Sequence, residues 1–368
     1  MSGTRLSGIV SALLLTAACA TSARAIDLQR LCGFSSASGL GTAPVLELAG
    51  AEHYGSDRAA EPFVMAVMRA EAAWRGLHDK TAADAAIAAL NTWAAAGALT
   101  SIVEVGEAQS NTNSIYSLRR ALIPLLVAWS SLERNAPHEE QSRVSAWLTS
   151  LYKLQDTDTG SHSGRGGPHA VSNRNNHAYM RAAIDALWAV RTQDRVLASR
   201  AADVVRRAVA DMRDDGSLPL ETARGARALW YQRHAIASLV FTADTLRAFN
   251  YDLFQDRPDG KSLHSTIAFL ALAARNPTLV SGYASQNRNP KPGSDPESQD
   301  LGFLEPRGNG RHYMAWLETY EQAFPARAAH LHLDDLLRPS LDQDRPLIDE
   351  LSGGNTSCRR FTFVKAAR

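Results

Sequence analysis

Two apolar runs decide the fold: EPFVMAVMRAEAAWRGL at residues 61–77 and TAADAAIAALNTWAAA at residues 81–96. In both runs the apolar residues recur at steps of three and four, which is typical of an amphipathic helix. Only three polar residues, 78–80, lie between the runs. Helices joined by so short a break lie antiparallel, so the two runs predict a helix hairpin. Gly97 follows the second run and is typical of a helix C-cap.

The same pattern continues through most of the chain. Further helices are predicted at residues 114–133, 139–154, 174–190, 194–213, 262–274, 312–324 and 326–337, and one more is predicted to end near Phe249. A series of helix hairpins buries each face against the next and tends to close into a ring. We therefore predict one all-α domain over residues 26–368, an α/α toroid or incomplete barrel of antiparallel hairpins. Its cleft would be lined by loops and helix ends.

Four segments lack a helical pattern. They are an extended lead-in and loop at residues 26–57, a polar loop at 155–171, a long proline-rich loop at 276–310, and an irregular tail after Pro339 with a short strand at 360–363. In the first segment, Tyr54-Gly55-Ser56-Asp57 is either a mobile lid over the cleft or an ordinary turn and helix cap.

The first 25 residues are typical of an export signal. Arg5 supplies a positive start, residues 9–18 form a short apolar run, and Ala23-Arg24-Ala25 is a small-x-small cleavage site. The mature protein would then begin near Ile26 and lie in the periplasm or outside the cell. The alternative is a lipoprotein that is anchored through Cys19.

Composition excludes several classes of protein. The formal net charge of +1 over 368 residues argues against a dedicated nucleic-acid binder. No later segment has the length and apolarity of a membrane span. His330 and His332, with Asp334 and Asp335, could bind a metal, but residues two apart on a helix do not face each other. We therefore predict no metal site, no cofactor and a protein that is indifferent to chelators, and we expect a monomer.

Two cysteines remain after the predicted signal, Cys32 and Cys358, one near each end of the mature chain. In an oxidising compartment they could pair and join the termini. The alternative is two free, half-buried thiols, since a sequence does not show whether the Cα atoms come within bridging range.

Two motifs about fifty residues apart carry the candidate chemistry. The first, Asn175-Asn176-His177-Ala178-Tyr179, places a carboxamide beside an imidazole at the head of a predicted helix. The second, ETARGARALWY at residues 221–231, is followed by His234. Its Arg224, Arg227, Tyr231 and His234 lie at steps of three, four and three, which would place them on one helix face.

The opposite face of that predicted helix carries Leu229, Ile236 and Val240, which give it a core to pack on. Guanidinium and carboxamide groups hold carboxylates, and a phenol or an imidazole moves protons. The two motifs together therefore suit an acidic sugar as the ligand.

Three stretches carry a resemblance to a known family: Asn176-His177-x-Tyr179, Gly216-x-Leu218-Pro219-x-Glu221 and Arg224-x-x-Arg227-Ala228-Leu229-x-Tyr231. They resemble the alginate lyases, which cleave poly-mannuronate by β-elimination. The stretches at 54–57, 91–99 and 314–320 are also similar to that family. The resemblance covers about residues 50–325. It implies an exported α/α toroid that binds an anionic polysaccharide.

The resemblance implies catalytic roles for Asn176, His177, Arg224 and Tyr231. Asn176 and Arg224 would neutralise the uronate carboxylate, so that the weakly acidic C5 proton can be removed. His177 would assist them or act as the base. Tyr231 would act as base and then as acid where the proton and the leaving group share a face.

Further contacts with the substrate are expected from side chains around this set: Arg227, His234, Tyr54, Trp230 and Tyr179. Arg227 would hold the carboxylate of a neighbouring sugar, and Trp230 could stack on a sugar ring. Most of the other tryptophans are expected in the core.

Departures from the family pattern near the cleft bear on the substrate. Met180 stands where the family usually has Trp, His234 stands where it has Tyr, and the loop at 155–171 does not resemble the family. The same chemistry on poly-glucuronate or hyaluronan is therefore an alternative.

Two other classes of protein remain open from the sequence. A helical-toroid glycoside hydrolase would need two carboxylates that flank the bond, and Glu221 and Asp185 are the acidic residues near the motifs. A non-catalytic periplasmic glycan-binding protein would keep the cleft without turnover.

Overall fold

The computed structural model describes residues 27–34, 38–48, 59–102, 108–156, 173–255, 257, 259–286, 295–308, 310–337 and 341–366. Three predictions lie outside these ranges: the export signal with Cys19, the lid candidate with Tyr54, and most of the polar loop at 155–171.

The described residues form mainly helices. In the first half these are α1 (Leu28–Cys32), α2 (Glu61–Leu77), α3 (Lys80–Ala95), α4 (Ala108–Leu132), α5 (His138–Asp156), α6 (Asn176–Thr192) and α7 (Arg195–Asp211). In the second half they are α8 (Pro219–Thr222), α9 (Ala228–Thr245), α10 (Leu263–Arg275), α11 (Thr278–Ala284), α12 (Trp316–Ala323), α13 (Pro325–His330), α14 (Leu341–Asp344) and α15 (Thr356–Ala366).

Successive helices pack as hairpins. Helix α2 contacts α3 and α4, α4 contacts α5 and α6, and α6 contacts α7 and α9. Helix α9 continues the array to α10 and α12, and α15 returns to α1 and α2. The prediction of an all-α toroid is confirmed. Because α6 and α9 pack directly on each other, the two motifs of the sequence meet at one place.

Four two-residue strands accompany the helices in the described part of the chain. Strand β1 (Glu47–Leu48) pairs in parallel with β2 (Ser101–Ile102). Strand β3 (Ile348–Asp349) pairs antiparallel with β4 (Gly354–Asn355). The turn between β3 and β4 packs against α4 and α9, so the last part of the chain supports the helices that carry the site.

A disulfide joins the two ends of the array. Cys32 at the end of α1 and Cys358 in α15 are bonded, with their Cα atoms 5.0 Å apart. Gly76 of α2 lies directly against this bond, since a Cβ atom at that position would meet both sulfur atoms. The glycine allows three segments from distant parts of the sequence to approach one another closely.

Most of the tryptophan side chains lie in the core. Trp93 is fully buried and stacks on Phe63 with ring centroids 3.8 Å apart. The Trp147 ring nitrogen donates to the Ala98 carbonyl oxygen at 2.7 Å, which satisfies its one polar group. Four of the seven tryptophans are buried (Trp93, Trp129, Trp147 and Trp316). Trp74, Trp188 and Trp230 are half-buried against the core.

The predicted strand at 360–363 is wrong, because that segment lies in helix α15. The Asn355 side chain accepts a hydrogen bond from the Cys358 backbone N–H at 2.9 Å, which is a helix N-cap contact. Ser357 and Cys358 are buried at the start of the helix. Tertiary packing and the cap therefore outweigh the strand preference of Phe361 and its neighbours.

Other boundaries also differ from the prediction. Helix α4 begins at Ala108, six residues before the start that was predicted at residue 114. The loop expected at 276–310 contains α11 and a short 3₁₀ turn at Gly302–Leu304. The lead-in at 26–57 contains α1, whose first turn is capped by the Asp27 side chain. The helix expected at 326–337 is divided into α13 and a 3₁₀ turn.

Over the part of the chain that is described, none of the helices has both the length and the apolar character that crossing a bilayer requires.

Candidate active site

The first motif forms the start of α6. Asn175 is the N-cap, and its side-chain oxygen accepts a hydrogen bond from the His177 backbone N–H at 3.1 Å. An asparagine at this position satisfies one of the free N–H groups of the first helical turn. Asn176 and His177 are therefore held on the first turn of a rigid helix, at the end where α6 meets the second motif.

Asn176 is almost fully buried, and its backbone is hydrogen-bonded to the side chain of a glutamate. Its N–H donates to Glu221 Oε1 at 2.7 Å, so the two motifs are joined by a direct hydrogen bond. Within the described residues, the side-chain oxygen of Asn176 has no hydrogen-bond partner. A buried amide oxygen without a partner is suited to a ligand group that donates a hydrogen bond, such as a hydroxyl.

The second motif does not form one continuous helix, and the expectation for Arg224 and Arg227 is corrected here. Helix α9 begins at Ala228, after a 3₁₀ turn at Gly225–Arg227. Gly225 has φ of 57°, a left-handed conformation that ends any α-helical path from Arg224. Arg224 and Arg227 therefore lie before the helix that carries Tyr231.

Arg224 nevertheless reaches Tyr231. Its guanidinium carbon lies 4.3 Å from the centroid of the Tyr231 ring. Tyr231 is mostly buried, with 9% of its surface exposed. A cation this close to a phenol ring is attracted to the ring face. The turn before α9 thus brings together the guanidinium and the phenol.

Sequence reasoning missed Tyr116 of α4. Its ring lies between two histidines, with centroids 5.3 Å from His177 and 5.8 Å from His234. The Tyr116 hydroxyl oxygen is 3.5 Å from His234 Nε2. In the sequence, Tyr116 is an ordinary residue near the head of a predicted helix, and no motif marks it. Only the packing of α4 against α6 reveals its place.

His234 is buried and lies in a strongly positive environment. Burial lowers the pKa of His234 well below its usual value, and the nearby charges of Arg233, Arg120, His177 and Arg224 lower it further. The imidazole is therefore uncharged at neutral pH. An uncharged His234 can contact the Tyr116 hydroxyl as one neutral group beside another.

Arg227 and Trp230 lie at the more exposed side of this group. Arg227 Nε is 3.8 Å from Asp300 Oδ2, and both side chains are partly exposed. The Trp230 ring packs edge-on against Tyr313, with centroids 5.0 Å apart. Arg227 therefore has an acidic neighbour of its own within the protein.

The contact between Tyr179 and the substrate stays a prediction, and the structure places this residue inside the protein. Its side chain is buried, and its hydroxyl donates to the Arg174 carbonyl oxygen at 3.0 Å. Burial, followed by the charge of Glu221, raises the pKa of Tyr179 well above its usual value. The Tyr179 hydroxyl thus fixes the backbone of the segment that leads into α6.

Glu221 and Asp185, the two carboxylates of the hydrolase alternative, lie apart. Glu221 bonds the first residue of α6, and Asp185 is nine residues further along the same helix, about 13 Å at the rise of a helix. Asp185 accepts from the Tyr152 hydroxyl at 3.1 Å and pairs with Arg200 at 3.2 Å. These two carboxylates do not flank a common bond.

Burial raises the pKa of Glu221 to about 7, although Arg224 and the Asn176 N–H lower it. The folded state therefore binds this proton more tightly than the unfolded state, and stability falls as pH rises from about 4.5 to 7. Glu221→Gln keeps an oxygen that accepts from Asn176 and removes the cost of ionisation. We expect the unfolding free energy of the variant, relative to wild type, to increase by about 3 kcal/mol between pH 4 and pH 8.

Urea unfolding of both proteins at the two pH values measures this difference. Glu139→Gln is the matched control, since the Glu139 side chain is exposed. A difference between Glu221→Gln and wild type that does not change with pH would contradict the assigned environment of Glu221.

Metal ligands are not gathered anywhere among the residues that the structure describes, where no group of three or more His, Cys, Asp or Glu side chains is placed to hold an ion. His332 instead lies near Asp335, with Nδ1 and Oδ2 3.4 Å apart on exposed side chains.

Comparison with known proteins agrees with the fold. The model of the family described as alginate lyase matches residues 48–279. A polysaccharide lyase of Stenotrophomonas maltophilia (strain K279a) is 29% identical over 180 residues, which is 49% of this chain and 51% of that protein. The chain thus matches about half the length of this curated relative.

Solved structures with the same fold include alginate lyase A1-III from Sphingomonas species A1, at 21% identity and a TM-score of 0.70 over 92% of this chain and 91% of that one. A Tyr-to-Phe variant of A1-III, complexed with tetrasaccharide, has 22% identity and a TM-score of 0.70 over 92% and 90% of the two chains. An alginate lyase from Bacteroides ovatus has 16% identity and a TM-score of 0.53 over 76% and 71%. The family model covers more than half of the residues, and the chain belongs to the alginate lyase family.

Proposed function

We propose that the protein is an exported polysaccharide lyase that cleaves a β-linked polyuronate, mannuronate-rich alginate, by β-elimination. The observation that carries this proposal is the Arg224 guanidinium, 4.3 Å from the centroid of the Tyr231 ring, in the motif that is joined to the first turn of α6 by the Asn176–Glu221 hydrogen bond. Family membership and the tetrasaccharide bound to A1-III variants support a saccharide ligand. Export would follow cleavage near Ala25, and the enzyme would act as a monomer without a cofactor.

The first requirement of the reaction is to neutralise the uronate carboxylate. The Arg224 guanidinium and the Asn176 amide would bind its oxygens, because charge-assisted hydrogen bonds to a carboxylate are the strong ones. With the carboxylate held, the negative charge that develops on removal of the C5 proton spreads onto oxygens that already have donors.

The second requirement is to move the proton and break the bond. The Tyr231 phenolate would take the C5 proton, and its hydroxyl would then hold that proton. The electron pair left at C5 forms the C4–C5 double bond, and the C4–O bond breaks with its pair on oxygen. The Tyr231 hydroxyl returns the proton to this oxygen, so the phenolate is restored. His177, on the first turn of α6, would assist at C5.

The test offers four polymers separately to the purified mature chain: poly-mannuronate, poly-guluronate, poly-glucuronate and hyaluronan. EDTA is present throughout, and ultraviolet absorbance reports the new C4–C5 double bond. We expect absorbance to rise on poly-mannuronate although EDTA is present. A rise only on glucuronate-containing polymers would keep the mechanism and replace the substrate. New reducing ends without absorbance would indicate hydrolysis, and binding without any product would indicate a glycan-binding protein; either result would overturn the proposal.

A further inference from the structure

The proline-rich loop expected at 276–310 contains a short segment that lies against the second motif. The segment is well anchored, because Phe303 is fully buried and packs edge-on against Trp230 with ring centroids 6.0 Å apart. Just before Phe303, the Asp300 side chain accepts a hydrogen bond from the Gly302 backbone N–H at 3.1 Å. The residues around Asp300 therefore have a defined place beside the turn that precedes α9.

The Gln299 side chain uses both of its polar atoms on that turn. Its Oε1 accepts from the Leu229 backbone N–H at 3.1 Å, and its Nε2 donates to the Gly225 carbonyl oxygen at 3.0 Å. The next residue, Asp300, donates its backbone N–H to the Ala226 carbonyl oxygen at 2.7 Å. An amide is required at position 299, since Leu229 offers a donor and Gly225 an acceptor.

The contact with Leu229 replaces a helix cap. The first N–H groups of a helix lack partners inside it, and the side chain of the N-cap residue commonly accepts one of them. The N-cap of α9 is Arg227, whose side chain carries only donors and makes no capping hydrogen bond. Gln299 supplies the acceptor from 70 residues further along the chain.

The two ends of the Gln299 amide lie on the two sides of the candidate site. Gly225 directly follows Arg224, and Leu229 lies two residues before Tyr231. Because Gly225 breaks the helical path with φ of 57°, the conformation of α9 does not determine where Arg224 lies. One planar amide therefore joins the backbone that carries the guanidinium to the backbone that carries the phenol.

We propose that Gln299 is a positioning residue, which holds the Arg224 guanidinium at its distance of 4.3 Å from the centroid of the Tyr231 ring. A misplacement of about 1 Å between groups that act together can cost on the order of a hundredfold in rate. The effect of Gln299 on rate rests on the proposed function, and its effect on the geometry of the free protein does not.

The first test measures amide hydrogen exchange in the free protein. Gln299→Leu removes both contacts at similar volume. Gln299→Glu keeps the acceptor for Leu229 and places an oxygen that cannot donate against the Gly225 carbonyl. We expect the Leu229 N–H to exchange at least about tenfold faster in Gln299→Leu and near the wild-type rate in Gln299→Glu.

The second test follows the Arg224 side chain by NMR, with its signals identified by their absence from the spectrum of Arg224→Lys. The ring current of Tyr231 displaces these signals, and the displacement should shrink in Gln299→Leu and in Gln299→Glu. The matched control is Gln141→Leu, since Gln141 also donates to a backbone carbonyl, that of Ala136 at 2.8 Å, but does so on α5. The control should leave the exchange rates and the Arg224 signals unchanged.

Kinetics separate positioning from a general loss of structure. We expect Gln299→Leu to lower kcat on the preferred polyuronate about 10- to 100-fold, with KM within a few-fold of wild type. In an Arg224→Ala background the same substitution should have little further effect, because the guanidinium that Gln299 places is no longer there. A loss of folded protein would lower the activity by the same factor in both backgrounds.

Three results would overturn the proposal: rapid exchange of the Leu229 N–H in the wild type, Arg224 signals that do not move in the Gln299 variants, or an equal loss of kcat with and without Arg224. The first of these does not depend on how the variants fold. The exchange and NMR measurements need neither polymer nor turnover, so a failure of the positioning role is distinguishable from a failure of the lyase assay.

Discussion

Tyr231→Phe is expected to lower kcat on the preferred polyuronate by at least about 10³-fold, with KM within a few-fold of wild type. The substitution removes only the hydroxyl that would take the C5 proton and return it to the leaving oxygen. The aromatic ring at position 231, over which the Arg224 guanidinium lies, remains in the variant. The groups that would bind the carboxylate therefore keep their positions. Loss of a group that acts only in the transition state lowers kcat and leaves ground-state binding.

Initial rates of ultraviolet absorbance over a range of polymer concentrations separate kcat from KM. Tyr152→Phe is the matched control, because it also deletes a phenol oxygen but does so on α5, where the hydroxyl donates to Asp185. We expect that control to keep roughly wild-type kcat. If Tyr231→Phe kept more than about a tenth of the activity, the proton would have to be taken elsewhere, and His177 would be the next candidate.

Replacing both Cys32 and Cys358 with serine is expected to lower the free energy of unfolding by about 4–5 kcal/mol. The bond closes a loop of 326 residues, and the loss of chain entropy in the unfolded state grows with loop length. Both cysteines are buried, so the serine hydroxyls would be removed from water, which further destabilises the folded state.

Urea unfolding of the wild-type and double-serine proteins, with and without reductant, measures this effect. Reduced wild type should approach the double variant, and reductant should leave the double variant unchanged. A difference of less than about 1 kcal/mol between the oxidised wild type and the double variant would show that the bond contributes little.

The helices could be predicted because their signals are local. The runs at 61–77 and 81–96 became α2 and α3 with ends within one residue of the prediction. Apolar residues at steps of three and four fix both the helix and its buried face, and neither depends on the rest of the chain. The first motif was also local, since Asn175 caps the helix that holds Asn176 and His177.

The remaining features depend on contacts between distant residues. Tyr116 joins the site because α4 packs on α6. The Arg233 guanidinium lies close to the rings of Phe303 and Tyr313, which are 70 and 80 residues further along the sequence. The backbone at Gly225 determines where α9 starts, although the spacing of Arg224 and Tyr231 fits an uninterrupted helix. Spacing predicts which residues could share a face, and packing determines which of them do.

The disulfide between α1 and α15 also changes the consequence of proteolytic cleavage of the backbone. An exposed connection such as the turn at Gln193, between α6 and α7, can be cleaved by a protease without releasing either fragment. The two fragments remain linked through Cys32 and Cys358 and stay in register, because α6 still packs on α7 and α9. The disulfide thus lets the protein tolerate a single cleavage of its backbone, and this effect is separate from its contribution to the free energy of unfolding.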